Sequence, residues 1–212
     1  MTVKTRFLVL GATAKTGRRV AERLQNLGHS VRAVSRSTTP SFDWTKPDTW
    51  DDVLRDIDAV YVTFQPDLAV PGSDQIIADF AARALRHGAK RLVMLSGRGE
   101  DAARDAERTL RNSGADWTVL RANWFFQNFS EDLFLPYLQN GVLALPAGDI
   151  PEPFVDADDI AECAVTAILD PAHIGKTYEL SGPDALTFEE ATAIIASSAN
   201  RDIAFVPITL DQ

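Results

Sequence analysis

The sequence predicts an α/β protein built on a doubly wound parallel sheet, and three observations carry that prediction. Short apolar runs alternate with longer segments of helical period, glycines close those segments, and the first strand-to-helix turn holds two glycines six positions apart. Parallel strands read as near-continuous apolar runs because helices cover both faces of their sheet.

The elements follow in order. Residues 7–10 (Phe-Leu-Val-Leu) form the first strand. Lys4 and Arg6 precede it, but a secretory signal needs roughly 7–15 apolar residues before its cleavage site, and Gly11 interrupts this run after four. Val20, Leu24 and Leu27 then fall at i, i+4 and i+7 of a helix, with Gly28 as its C′ residue. Residues 31–34 and 59–63 are the next strands. Ile77, Phe80, Ala81 and Ala84 line one face of a helix that Gly88 ends. After the strand at 91–95, Ala103, Ala106 and Leu110 do the same within a helix over residues 100–113, ended by Gly114, and residues 117–120 make a fifth strand. Strand, helix, strand, repeated, means βαβ units.

The last third changes character. Residues 123–139 carry aromatics and Pro136, and residues 141–146 look hairpin-like. Residues 156–169 read as a helix with Asp156 as N-cap and Ile160, Ala164, Ala167 and Ile168 inward. Thr187 and Glu190 form a capping box before a helix with Ile194 and Ile195 on its apolar face. With no repeat and no Gly/Ser linker, residues 1–122 read as the core of the sheet. Residues 123–212 read as a small lobe interleaved with it in one compact unit.

Composition excludes several functions. A chain of 212 residues buries roughly 70% of its unfolded surface, enough for one core without metal or disulfide staples. The net charge of −9 disfavours binding nucleic acid through its phosphates. Cys163 is the single cysteine, so no internal disulfide and no zinc-spaced cluster exists; this points to no metal and a reducing, cytoplasmic setting. No run approaches the ~20 apolar residues of a membrane span.

The chemistry concentrates at Gly11-Ala12-Thr13-Ala14-Lys15-Thr16-Gly17. A turn here brings backbone amides against a pyrophosphate at the positive end of a helix, and a side chain would block the approach. The expected spacing is G-x-G-x-x-G or a close variant. The outer glycines are present, and Ala14 stands at the place of a middle one; the bland alternative is a tight strand–helix turn. The second strand ends in Ser35-Arg36-Ser37 with no carboxylate for a ribose 2′-OH, and Arg36 lies nineteen positions beyond Gly17. Arg36 with Ser35 or Ser37 suits a 2′-phosphate, which favours NADP(H) over NAD(H). The competing reading is a solvated loop arginine.

These residues, with Leu95-Ser96-Gly97, the run from Asp116 to Asn128, the run from Phe154 to Ala161 and that from Lys176 to Pro183, resemble the NmrA-like, atypical branch of the short-chain dehydrogenase/reductase superfamily. The resemblance spans nearly the whole chain and implies a Rossmann fold with a small C-terminal lobe. Its members include NADPH-dependent quinone and dye reductases, and also redox sensors that bind the cofactor without turnover and act through a protein partner. By this resemblance Gly11, Thr13, Ala14, Lys15, Thr16 and Gly17 surround the pyrophosphate and Arg36 the 2′-phosphate. Asp43 and Trp44 lie near the adenine, Thr63, Phe64, Gln65 and Ser96 beside the nicotinamide, and Asn123, Trp124 and Phe125 close the substrate pocket. Ala14 in place of a glycine narrows the pyrophosphate space, and relatives commonly run several tens of residues longer.

Typical short-chain dehydrogenases use a Tyr and a Lys four residues later. Tyr61, Tyr137 and Tyr178 are followed at that distance by Gln65, Gly141 and Gly182, so the dyad is absent. A quinone, azo compound or other conjugated acceptor takes hydride more readily than a simple carbonyl, and solvent can supply its proton. Ser96 either donates a hydrogen bond to a substrate oxygen or caps a helix starting near Glu100. Arg98 either holds an anionic substrate or is a mobile loop charge. Glu107 reads as a solvated helix residue, and His29, His87 and His173 as surface residues without a Ser or Asp partner. Cys163 reads as core, Phe125 and Phe126 as core or ring-stacking, and Asp156, Asp158 and Asp159 as a helix start favoured by the dipole. The expected function is an NADPH-dependent reductase acting on a small molecule, a homodimer being open; the alternative is a non-catalytic NADP(H) sensor.

Overall fold

The structure is a computed structural model and describes residues 5–209, so Lys4 lies outside the described residues. In chain order the elements are β1 (Arg6–Leu10), α1 (Lys15–Asn26), β2 (Ser30–Val34), α2 (Trp50–Leu54), β3 (Ala59–Val62), α3 (Ser73–Arg86), β4 (Arg91–Gly97), α4 (Ala103–Arg111) and β5 (Asp116–Ala122). Then come α5 (Gln127–Ser130), α6 (Leu135–Gln139), β6 (Val142–Leu145), α7 (Ala157–Leu169), β7 (Lys176–Leu180), α8 (Phe188–Ala199) and β8 (Ala204–Pro207).

Two compact units emerge. The first comprises the described residues up to Ala122 together with Asp158–Leu180; the second comprises Asn123–Ala157 and the described residues from Ser181 onward.

The first unit is a six-stranded parallel sheet in the order β2-β1-β3-β4-β5-β7, the doubly wound α/β fold that the apolar runs predict. Alternate side chains of each strand face opposite layers. Leu8, Leu10, Val60, Val62, Leu92, Met94 and Val119 pack with Trp50, Ile77, Phe80 and Leu110 in one layer. Phe7, Val9, Tyr61, Val93 and Leu120 pack with Val20, Leu24, Ala161, Ala164 and Ile168 in the other. The chain winds from β1 outward to β2 and then crosses to β3 on the other side of β1. The carboxyl ends of β1 and β3 therefore flank the switch point, where open α/β sheets bind ligands.

In the second unit β6 pairs with β8 in its own two-stranded parallel sheet over a core of Phe129, Phe134, Leu143, Phe154 and Phe188. The hairpin expected at residues 141–146 is therefore corrected: Gly141 turns the chain at φ +85° into a single strand whose partner lies some sixty residues on. The Thr187–Glu190 capping box is present, with Glu190 N donating to Thr187 Oγ1 at 3.1 Å and Thr187 N to Glu190 Oε2 at 2.8 Å.

Other details differ from the sequence reading. Leu27 follows the last residue of α1 and is 60% exposed, because the chain turns there into Gly28. Ile194 is 53% exposed, since Phe188, Ala191 and Ile195 share the buried face of α8 and it falls beside them. Helix α4 starts at Ala103 rather than near residue 100, and β7 is a sixth strand.

Candidate functional site

The loop from Gly11 to Gly17 leaves β1 at the switch point. Gly11 has φ +70°, the left-handed region, and a Cβ there would lie 2.6 Å from Thr63 Oγ1. At Gly17 a Cβ would meet the Gly11 carbonyl oxygen at 2.1 Å and that of Leu10 at 2.8 Å. The two glycines thus hold the start of α1 directly against the end of β1. The Ala12 amide donates to the Val34 carbonyl at 2.9 Å and the Ala14 amide to Gly11 at 2.8 Å, fixing the turn. Ala14 is the N-cap residue with extended backbone; no side chain caps α1, and its first turn holds no acidic residue. An uncapped helix start without a carboxylate suits an anion. Thr13 is exposed, Lys15 half-buried and Thr16 buried beside the Tyr61 hydroxyl.

At the end of β2, Arg36 is exposed and forms no ion pair among the described residues, while the Ser35 and Ser37 hydroxyls lie 3.0 Å apart. Asp43 accepts from the amide and hydroxyl of Thr45, at 2.9 and 2.8 Å. Those bonds, with Lys46 and Arg36, hold its carboxyl below the ordinary range. Trp44 is buried among Phe42, Trp50, Phe64 and Phe80, and its indole N–H donates to the Thr63 carbonyl at 2.9 Å. Thr63 Oγ1 donates to the Leu10 carbonyl at 3.3 Å, tying the ends of β1 and β3 together, and Gln65 beyond it is exposed.

The end of β4 carries a charged network. Ser96 is buried and its hydroxyl donates to Glu107 Oε1 at 2.8 Å. Glu107 has no exposed surface, which corrects the solvated-helix reading: its face of α4 turns toward β4 and β5. Arg121 closes a fork on it at 2.9 and 2.7 Å, and Arg111 adds a third contact at 2.7 Å. Burial alone would push the Glu107 carboxyl up, but the hydrogen bonds from Arg121 and Ser96 outweigh it, and the group sits below its ordinary range. Because Glu107 is ionised it can only accept, so the Ser96 proton is committed and Ser96 offers lone pairs to whatever lies above the sheet. Ser96 caps no helix, for Ala102 is the N-cap of α4. Arg98 is not a loose charge either: its Nε pairs with Glu179 Oε2 at 3.1 Å, and Glu179 also meets Arg121 at 3.2 Å.

In the second unit, Asn123 Nδ2 donates to Glu152 at 3.1 Å, Trp124 is 43% exposed and lies against Phe134 and Phe188, and Phe125 bridges to Val155. Phe126 is exposed, with its ring 5.9 Å from that of Phe154. Gln127 accepts from the Ala157 amide at 2.8 Å, satisfying the start of α7 beside Asp156.

A family model described as NAD(P)H-binding matches residues 11–171. The chain belongs to the NAD(P)H-binding family. An uncharacterized oxidoreductase, YesF, of Bacillus subtilis is 32% identical across 97% of this chain and 75% of its own. An NAD(P)H azoreductase of Xenophilus azovorans is 30% identical across 97% of this chain and 78% of its own. Among solved structures, the Citrobacter triphenylmethane reductase complexed with NADP(H) superposes with a TM-score of 0.78 at 16% identity, over 98% of this chain and 80% of that one. Sequence and fold together make this an NAD(P)H-binding protein on a Rossmann-like α/β fold.

The residues present fit the dinucleotide of the NAD(P)H-binding family, because the glycine cradle and the uncapped, carboxylate-free start of α1 lie at the switch point. Sequence reasoning missed the Glu107 clamp, whose one local signal was Arg111 at i+4. It also missed Asp158, which joins Arg19 and Arg23 of α1 at 2.9 and 2.8 Å and so braces the helix that opens at the loop. Two histidines have partners: His87 meets Asp51 and His173 meets Tyr178, at 2.9 and 2.8 Å respectively. Cys163 is half-buried rather than core and lines a cavity of about 420 Å³, where burial, with Asp159 and Glu162, pushes its thiol up. No cluster of potential metal ligands occurs among the described residues, and none of their helices is long and apolar enough to cross a membrane.

Proposed function

We propose that this chain is an NADPH-dependent oxidoreductase that passes hydride to a quinone, azo compound or similar conjugated acceptor. The observation that carries the reading is the start of α1: Gly11 and Gly17 bring an uncapped helix end, free of carboxylates in its first turn, to the switch point of the sheet. Gly11, Thr13, Ala14, Lys15, Thr16 and Gly17 would hold the pyrophosphate there. Ser35, Arg36 and Ser37 would take the 2′-phosphate, the guanidinium being exposed and without an ion-pair partner among the described residues. Asp43 and Trp44 would border the adenine, and Thr63, Phe64, Gln65 and Ser96 the nicotinamide.

When bound, the reduced nicotinamide supplies hydride, and the protein's part is positioning in a dry, shaped site. Trp44 and Phe64 pack ring against ring at a tilt in the layer behind Thr63 and stiffen that wall. Ser96, its proton held by Glu107, would accept a hydrogen bond from a carboxamide N–H. A conjugated acceptor suits a site without the Tyr/Lys dyad, and the azoreductase relative supports that acceptor class. Steady-state oxidation of NADPH with a panel of quinones and azo dyes tests the proposal. Acceptor-dependent turnover is expected; tight NADPH binding with no turnover on any acceptor would refute it.

A further inference from the structure

We propose that Glu100 is the proton donor to the reduced acceptor, an inference that rests on the reductase reading above. Hydride transfer leaves negative charge on the acceptor's oxygen or nitrogen, and a proton must neutralise it. Ser96 cannot give one, because its hydrogen lies on the ionised Glu107. Tyr61 faces the layer of α1 and α7 and is buried, and Tyr178 is bonded to His173.

Glu100 is placed differently. Its carboxylate fills the space above Gly97 at the carboxyl end of β4: a Cβ on Gly97 would lie 2.0 Å from Oε2 and 2.6 Å from Oε1. The absence of a side chain at Gly97 is what admits the carboxyl to this end of the sheet, one residue beyond Ser96. No cation pairs with Glu100 among the described residues. Of the charged groups around it, Arg98 is turned to Glu179, Asp101 is paired with Arg104 at 3.3 Å, and Asp67 comes across from the loop after β3. Asp67 is itself fixed by the Ala69 amide at 2.7 Å. Glu100 is exposed to solvent, yet the packing of its carboxyl over Gly97 and the like charge of Asp67 both push that carboxyl up, so it keeps its proton to higher pH than an ordinary glutamate.

The step balances. The acceptor gains a C–H or N–H bond with the hydride pair as the nicotinamide is oxidised. The acceptor's π pair moves to its oxygen or second nitrogen, and the new O–H or N–H bond forms with the proton leaving Glu100 Oε. Water then restores that proton. A positioned acid of this kind is worth about 100-fold or more in rate.

The test uses the full chain and three variants with NADPH and two acceptors, 1,4-naphthoquinone and methyl red. Glu100→Gln should lower turnover about 100-fold and remove the fall in rate at rising pH, with NADPH affinity within about twofold of wild type. Asp67→Asn should move that fall to lower pH, since it removes the charge that raises Glu100. Gly97→Ala should push the carboxylate away and lose turnover as Glu100→Gln does. Independently of turnover, the Glu100 carboxyl, followed by carbon-13 NMR and identified by its loss in Glu100→Gln, should titrate above the other glutamates and shift down in Asp67→Asn. Wild-type turnover with an unchanged rate and pH profile in Glu100→Gln would overturn the proposal alone, as would an ordinary Glu100 titration. Absence of turnover in the wild type would overturn the reductase reading and this proposal with it.

Discussion

The loops after β1 and β4 lie at the same edge of the same sheet and are built on opposite plans. The first works by omission: two glycines without side chains, no cap on α1 and no carboxylate in its first turn. The second works by commitment: Ser96, Glu107, Arg111, Arg121, Glu179 and Arg98 form one chain of charge-assisted bonds. A backbone that must approach a ligand needs empty space, whereas a side chain that must not move needs partners. Four changes break or sharpen this comparison, in descending order of effect.

Gly17→Ala attacks the omission. Its Cβ has only 2.1 Å to the Gly11 carbonyl oxygen, which is backbone and cannot move aside cheaply. About 3 kcal/mol of stability should be lost by urea unfolding, together with most NADPH binding by calorimetry. Glu107→Gln attacks the commitment by leaving Arg121 and Arg111 facing a neutral group, and should cost about 3 kcal/mol in the same unfolding assay. Its pH dependence has a definite sign. The folded Glu107 sits below the ordinary carboxylate range, so its stabilisation is full above the unfolded value of ~4.3 and disappears as pH falls through the folded one. Acid unfolding should therefore be less steep in Glu107→Gln than in the wild type.

Arg36→Ala leaves the fold intact, since the side chain is exposed. It should weaken NADPH about 10-fold or more while leaving NADH nearly unchanged, as parallel titrations would show. Thr187→Ala is the control in the second unit. Losing the capping box should cost about 1 kcal/mol without altering cofactor affinity.

The same contrast explains what could be read from the sequence. Omissions are local: Gly11 and Gly17 are visible as letters, and so are the five apolar runs and the Thr187–Glu190 box. Commitments are not local. Glu107 meets Arg121 fourteen positions on, Arg121 meets Glu179 fifty-eight positions on, and Asp158 meets Arg19 across 139 positions. On helical period alone Glu107 belongs to a charged face, and only the approach of β4 and β5 makes that face interior. Gly97 and Glu100 show the intermediate case. Both are visible in sequence, but their relation needs the fold of the loop between them. Strand β7 escaped because it lies at the sheet's edge and its residues from Thr177 to Leu180 alternate polar and apolar, unlike the buried runs.

The central claim is that the start of α1 and the end of β2 together hold a phosphorylated nicotinamide dinucleotide. Calorimetric titration of the full chain with NADPH and with NADH tests it most directly. The account predicts that NADPH binds at least about tenfold more tightly, the difference arising from a charge-assisted contact to the 2′-phosphate. Equal affinity for the two, or no binding of either, would contradict it.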